Sequence, residues 1–73
     1  MSAAAGTSKF VLNGAERPLP RPLTVGELVK ELGLPRERVA VEVNGSIVRK
    51  AAYDDVVVEP GARVEVVSFV GGG

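Results

Sequence analysis

Leu23-Thr24-Val25-Gly26-Glu27-Leu28-Val29-Lys30-Glu31-Leu32-Gly33-Leu34-Pro35 is the stretch with the strongest local signal. The Thr24 hydroxyl suits a helix N-cap, and Glu27 three residues later completes a capping box. Leu23, just before the cap, can pack on Leu28 as a hydrophobic staple. Val25, Leu28, Val29 and Leu32 recur at i, i+3, i+4 and i+7, so they share one helical face. Gly33 fits the left-handed position after the last turn, Leu34 can fold back on Val29, and Pro35 prevents continuation. The spacing predicts a helix over residues 25–32, about two turns long. A helix that short is marginal in water, so its apolar face must dock on a sheet.

The sheet is read on either side of the helix. Before it, Phe10-Val11-Leu12 runs into Asn13-Gly14, a pair that suits a type I′ hairpin turn because both central positions need positive φ. The returning strand is expected over residues 15–19, and Pro18, Pro20 and Pro22 confine it to an edge. After the helix, Val39, Val41 and Val43 alternate onto one face. Asn44-Gly45 is a second hairpin signal, with Ser46-Ile47-Val48 returning. Residues 51–55 read as a connecting turn or one helical turn, and Val56-Val57-Val58 as a short extended run. Pro60-Gly61 fits the centre of a type II turn. The last strand is expected over residues 63–70. Val64 and Val66 share one of its faces and Val67 and Phe69 the other, which implies either cover on both faces or a bulge near Val66 and Val67. Strand, strand, helix, then strands is an α+β two-layer order, with the helix across one face of a mixed sheet and the last strand central.

Bulk properties narrow the function. The 73 residues suit one small domain. With no cysteine or histidine, its stability has to come from an apolar core. Nine basic residues balance nine acidic ones, and the three aromatics are scattered, so a nucleic-acid surface is not indicated. There is no apolar run long enough to cross a bilayer and no secretory signal at residues 1–8, which read as a flexible arm; the expected location is cytoplasmic.

Catalytic groups are equally sparse. Ser46 and Ser68 have no histidine to activate them, and the isolated glycines form no phosphate-binding loop. Asp54 and Asp55 are adjacent carboxylates without a third ligand nearby, so no metal site is expected. Arg36, Arg38, Arg49 and Arg63 read as a solvated face or a basic surface for an acidic partner. Tyr53 reads as a half-buried anchor with a wet hydroxyl. What stands out is the end, Phe69-Val70-Gly71-Gly72-Gly73, where a strand runs into bare glycine and a carboxylate. Glycine has no Cβ and can enter a narrow channel. Gly73 is therefore the candidate covalent site, with Gly71 and Gly72 as its thread. Phe69 and Val70 are candidates for partner contact, and Phe69 is equally readable as core.

The helix after a hairpin, Val43-Asn44-Gly45 leading into Ile47-Val48-Arg49, Pro60-Gly61-x-Arg63-Val64-Glu65-Val66, and the Phe69-to-Gly73 end together resemble the small β-grasp sulfur carriers. The nearest type is the thiamine-biosynthesis ThiS family. The resemblance runs from about residue 9 to residue 73, and the arm before it is a departure. It implies a ubiquitin-like β-grasp domain over residues 9–70, with four to five strands, one main helix and a glycine tail at residues 71–73. It implies a protein co-substrate rather than an enzyme, with no bound cofactor or metal. A ThiF-like adenylyltransferase would use ATP to adenylate the Gly73 carboxylate. A sulfur donor would convert the adduct to a thiocarboxylate, and a ThiG-like thiazole synthase would receive the sulfur. Carriers for molybdopterin, cysteine or secondary metabolites share this chemistry. A ubiquitin-like binding module that is never activated, or a tag joined to a partner's lysine, shares the fold alone.

Overall fold

In a computed structural model that describes residues 8–69, the capping box forms as the sequence predicts. The Glu27 N–H donates to Thr24 Oγ1 at 3.1 Å, and the Thr24 N–H donates to Glu27 Oε1 at 2.9 Å. Helix α1 spans Val25–Glu31. It is one residue shorter than the apolar pattern because Leu32 is the C-cap. Beyond it, Gly33 takes φ +75°. The Gly33 N–H donates to the Lys30 carbonyl at 3.0 Å and the Leu34 N–H to the Val29 carbonyl at 3.2 Å. These two bonds satisfy carbonyls that the helix end would otherwise leave open.

Among the described residues seven strands accompany the helix: β1 (Lys9–Leu12), β2 (Ala15–Pro18), β3 (Leu23–Thr24), β4 (Val39–Val43), β5 (Ser46–Val48), β6 (Val57–Val58) and β7 (Arg63–Ser68). Five of them form a mixed sheet in the order β2-β1-β7-β4-β5. β1 and β7 are parallel, and the other neighbours are antiparallel. This is the β-grasp arrangement, with α1 on one face. Both hairpins turn through positive φ: Asn13 at +50° and Gly14 at +85°, then Asn44 at +52° and Gly45 at +87°. β2 lies at an edge, where Pro18 costs no ladder bond. It ends at Pro18, one residue before the sequence reading. The run at residues 56–58 does not join the main sheet; Val57 and Val58 pair with β3 to make a separate two-stranded sheet.

The inner face is a single apolar cluster. Phe10 and Leu12 from β1, Val39 and Val41 from β4, and Val64 and Val66 from β7 meet Val25, Leu28 and Val29 of the helix. Leu19, Leu23, Tyr53, Val58 and Ala62 close its margins. Burying a valine or leucine is worth roughly 1.5–3 kcal/mol, so this cluster is the main stabilising term. Gly26 lets the Tyr53–Asp54 loop come close: its N–H donates to the Tyr53 carbonyl at 2.9 Å, and a Cβ there would lie 2.6 Å from Asp54 Oδ1.

Two expectations need correction. β7 carries no bulge, because its pairing with β4 runs unbroken from Val43↔Val64 to Val39↔Ser68. Nor are both its faces covered. Val64 and Val66 are buried, whereas Val67 is 54% exposed and Phe69 59%. Tyr53 is also more deeply placed than a half-buried anchor, at 1% exposure. Its hydroxyl is not wet but donates to the Val39 carbonyl at 3.4 Å.

Candidate functional site

The glycine end is reached through β7, so what holds β7 positions the site. It is central, with a parallel neighbour on one side and an antiparallel one on the other. β1 ends at its hairpin before β7 does, which would leave the Val66 amide and carbonyl without a strand to pair with. The Asn13 side chain takes over. Its Oδ1 accepts from the Val66 N–H at 2.8 Å, and its Nδ2 donates to the Val66 carbonyl at 3.2 Å. A side-chain amide thus stands in for a missing peptide unit. Asn44 does the same on the other flank, accepting from the Arg63 N–H at 2.8 Å while its own N–H donates to the Arg63 carbonyl at 2.7 Å.

Both asparagines therefore do two jobs, turning a hairpin and gripping β7. Asn13→Gly keeps the turn and removes the grip. Two lost hydrogen bonds predict a loss of about 2 kcal/mol, or a fall in thermal midpoint of about 10 °C for a domain this size. Asn13→Ala should cost about 1 kcal/mol more, because alanine resists positive φ. Thermal unfolding of the two variants separates the roles, and an unchanged Asn13→Gly midpoint would show that the grip adds nothing.

At its far end β7 is tied down once more, by the Phe69 N–H donating to the Arg38 carbonyl at 2.7 Å. The Phe69 side chain lies outside the core, so its core reading is set aside. Val67 is exposed on β7, facing exposed Ala40 on β4. Ile47 on β5 is 75% exposed. The outer face of the sheet thus presents Val67 and Phe69 close to where the chain leaves it, with Ile47 farther off, level with Glu65. Val70, Gly71, Gly72 and Gly73 lie outside the described residues, as do residues 1–7. Sequence reading missed Ile47 and Val67 as surface groups. The signal was there, since Val48 pairs with buried Val41 and strand alternation then turns Ile47 outward.

The four arginines do not make one basic surface. Arg36 pairs with Asp54 at 3.1 Å and lies 5.4 Å from the Tyr53 ring centre, bracing the loop. Arg63 sits at the start of β7, the end remote from Phe69. Arg38 and Arg49 are exposed. Burial pushes the Tyr53 hydroxyl above its ordinary pKa, with the Arg36 charge pulling partly the other way. Among the described residues no cluster of acidic side chains is placed to hold a metal ion, and no helix is long and apolar enough to cross a membrane.

This arrangement matches known proteins. The ThiS family pattern matches residues 10–73. A relative from Paramagnetospirillum magneticum named thiazole synthase is 46% identical over 65 residues, and another of that name from Magnetococcus marinus is 38% identical over 65 residues. Each match covers 89% of this chain, which spans 20% of the relative's length. The crystal structure of the thiamine biosynthesis protein ThiS from Geobacter metallireducens superposes with a TM-score of 0.75 at 34% identity, covering 89% of this chain and 99% of that one. A solution structure of a thiamine biosynthesis protein from the same organism gives 0.76 at 34% identity, covering 89% of this chain and 87% of that one. The family pattern runs over nearly the whole chain and the fold over nearly the whole of a solved ThiS protein: the chain belongs to the ThiS family.

Proposed function

We propose that the chain is a cytoplasmic sulfur carrier of thiamine biosynthesis, with the Gly73 carboxylate as its working group. The observation that carries this reading is the family match, which extends through the glycine end to residue 73. A carboxylate is an anion at neutral pH, with an ordinary pKa of roughly 3.3–3.7, and is a poor electrophile. It has to be activated. In this scheme a carboxylate oxygen attacks the α-phosphorus of ATP held by a ThiF-like adenylyltransferase, and pyrophosphate leaves. A sulfur nucleophile then attacks the acyl carbon and displaces AMP, leaving a thiocarboxylate. That sulfur passes to a ThiG-like thiazole synthase. The chain supplies a rigid strand, a thin thread and a docking face, while ATP belongs to the activating partner. A segment similar to this chain occurs within proteins named thiazole synthase, which supports the synthase as acceptor.

Intact mass spectrometry before and after incubation with the adenylyltransferase, ATP and a sulfide source tests the proposal. The expected result is a gain equal to replacing one oxygen by sulfur, mapped to Gly73. An unmodified chain beside a demonstrably active adenylyltransferase favours the binding module that is never activated.

Phe69 and Val70 anchor the tail at the partner in this reading, and Phe69→Asp separates docking from folding. Interface aromatics are often worth more than about 1 kcal/mol, so partner affinity should fall about tenfold or more. The thermal midpoint should hold, because the side chain is already in solvent. Equal affinity of variant and wild type by calorimetry would remove Phe69 from the docking face.

A further inference from the structure

Asn13-Gly14 and Asn44-Gly45 place the same two residues in the same kind of turn. The asparagines sit at φ +50° and +52°, and the glycines at +85° and +87°. All four residues are exposed, and a Cβ built on either glycine would meet nothing within 4 Å. Backbone conformation, access and steric room are therefore matched. What differs is how each side-chain amide is held. Asn13 uses both ends: Oδ1 accepts from the Val66 N–H at 2.8 Å and Nδ2 donates to the Val66 carbonyl at 3.2 Å. Asn44 uses one: Oδ1 accepts from the Arg63 N–H at 2.8 Å, and Nδ2 has no partner among the described residues.

Asparagine followed by glycine is open to a reaction within the chain. The glycine N–H gives its proton to base, and the nitrogen attacks Cγ of the preceding asparagine. A new N–Cγ bond closes a five-membered imide, and Nδ2 takes up a proton and leaves as ammonia. Water then opens the imide at either carbonyl. One opening gives aspartate, the other isoaspartate, in which the backbone runs through Cγ. Nothing is oxidised or reduced, and water is the reactant consumed. Glycine favours the attack because no Cβ crowds its nitrogen. In the folded chain Cγ must first swing from β7 toward that nitrogen. This local opening breaks one side-chain hydrogen bond at Asn44 and two at Asn13. The Asn44-Gly45 turn also borders an open depression with Glu42, Gly61, Arg63 and Glu65, so water reaches it.

We propose that Asn44-Gly45 is a site of spontaneous deamidation, and that the second hydrogen bond of Asn13 shields the matching turn from the same reaction. One additional bond of ordinary net strength slows the opening about fivefold. The placement suits the use of β7. Asn44 holds that strand at Arg63, its start, remote from the glycine end, whereas Asn13 holds it at Val66, close to Phe69. Aspartate at position 44 keeps an oxygen to accept from the Arg63 N–H. Isoaspartate there inserts a methylene into the backbone and shifts that oxygen away. At position 13 either product loses the Nδ2 donor and sets a carboxylate against the Val66 carbonyl. The chain thus carries its labile amide where ageing spares the support of the tail.

Peptide mass mapping of the full chain, incubated for days at mildly alkaline pH both folded and in denaturant, tests the inference. Trypsin releases Asn44 in residues 39–49. Pro18 and Pro22 block cleavage after Arg17 and Arg21, so Asn13 stays in residues 10–30, and each peptide holds one asparagine. In the folded chain, residues 39–49 should exchange an amide NH2 for OH about fivefold faster than residues 10–30. In denaturant the two should convert at one rate. Equal rates in the folded chain overturn the inference, as does faster conversion in residues 10–30. A difference of the same size in denaturant belongs to the flanking sequence and overturns it too. So does a folded chain inert at both turns while the denatured chain converts, since the turn itself would then be the shield.

Discussion

A Gly72→Val variant is expected to acquire sulfur about a hundredfold more slowly than the wild type, or not at all, with its thermal midpoint unchanged. The last backbone bond of the described sheet is that of Phe69 to Arg38. From Phe69 to Gly73 there are four residue steps, which reach at most about 14 Å when extended. An active site that takes the Gly73 carboxylate while a partner holds the outer face must lie within that reach. The chain must then enter it as a single thread, between walls close enough to exclude water from an acyl adenylate. Glycine presents no Cβ to those walls and accepts φ values closed to valine. Valine at 72 adds a branched isopropyl group and a stiff χ1 next to the reacting carbonyl. Gly72→Ala should be slowed less. An intact-mass time course with adenylyltransferase, ATP and sulfide reads all three chains. A valine variant charged at the wild-type rate would show that the channel does not measure width, and the thread reading would fall.

The helix and both hairpins were legible because each is fixed by local chemistry. Thr24, Glu27 and Gly33 specify the start and stop of α1 through bonds within a few residues. Asn13-Gly14 and Asn44-Gly45 specify turns through φ alone. What was not legible depends on partners distant in sequence. Asn13 reads as a turn residue until β7 arrives beside it, 53 positions on, and its side-chain amide becomes part of the ladder. The valines at 56–58 read as a short extended run with no partner assigned; the short β3 pairs with Val57 and Val58, and Leu23 is buried opposite Val58. β7 was the hardest case. Val64, Val66, Val67 and Phe69 cannot all face one core, and sequence reading supplied a bulge or a second layer to hide the last two. The structure supplies neither, so the misfit between hydrophobicity and burial marks the outer face. The candidate site is legible at Gly71, Gly72 and Gly73 by composition. Ile47 and Val67 emerge as outer-face groups only once register is known.

Tyr53→Ala is expected to leave most of the chain unfolded at room temperature, whereas Tyr53→Phe should cost less than about 1 kcal/mol. Tyr53 is the largest fully buried side chain. Truncating a large buried aromatic typically costs about 3–5 kcal/mol, most or all of the stability of a domain this small. The phenol oxygen matters far less. Its bond to the Val39 carbonyl is long, at 3.4 Å, and that carbonyl also accepts from Lys50 Nζ at 3.2 Å, so phenylalanine leaves no orphaned acceptor. Ionisation gives a second test. The chain has one tyrosine and no tryptophan, so tyrosinate absorbance reports a single group. Burial raises its pKa above the ordinary 10.0, and the Arg36 guanidinium offsets part of the rise. A raised folded-state value means that the native chain holds this proton more tightly than the unfolded chain. The stability this confers is complete below pH 10 and is lost as the pH climbs from there through the folded-state value. Alkaline unfolding of the wild type should therefore steepen above pH 10 in step with tyrosinate absorbance, and Tyr53→Phe should lack that component. Arg36→Ala should shift the absorbance transition to still higher pH, since it removes the charge that favours tyrosinate. A native chain whose tyrosinate forms at the ordinary pH would mean that the ring is not sealed beneath β4. The packing of the 50–55 loop against α1, through Tyr53, Arg36 and Gly26, would then need to be redrawn.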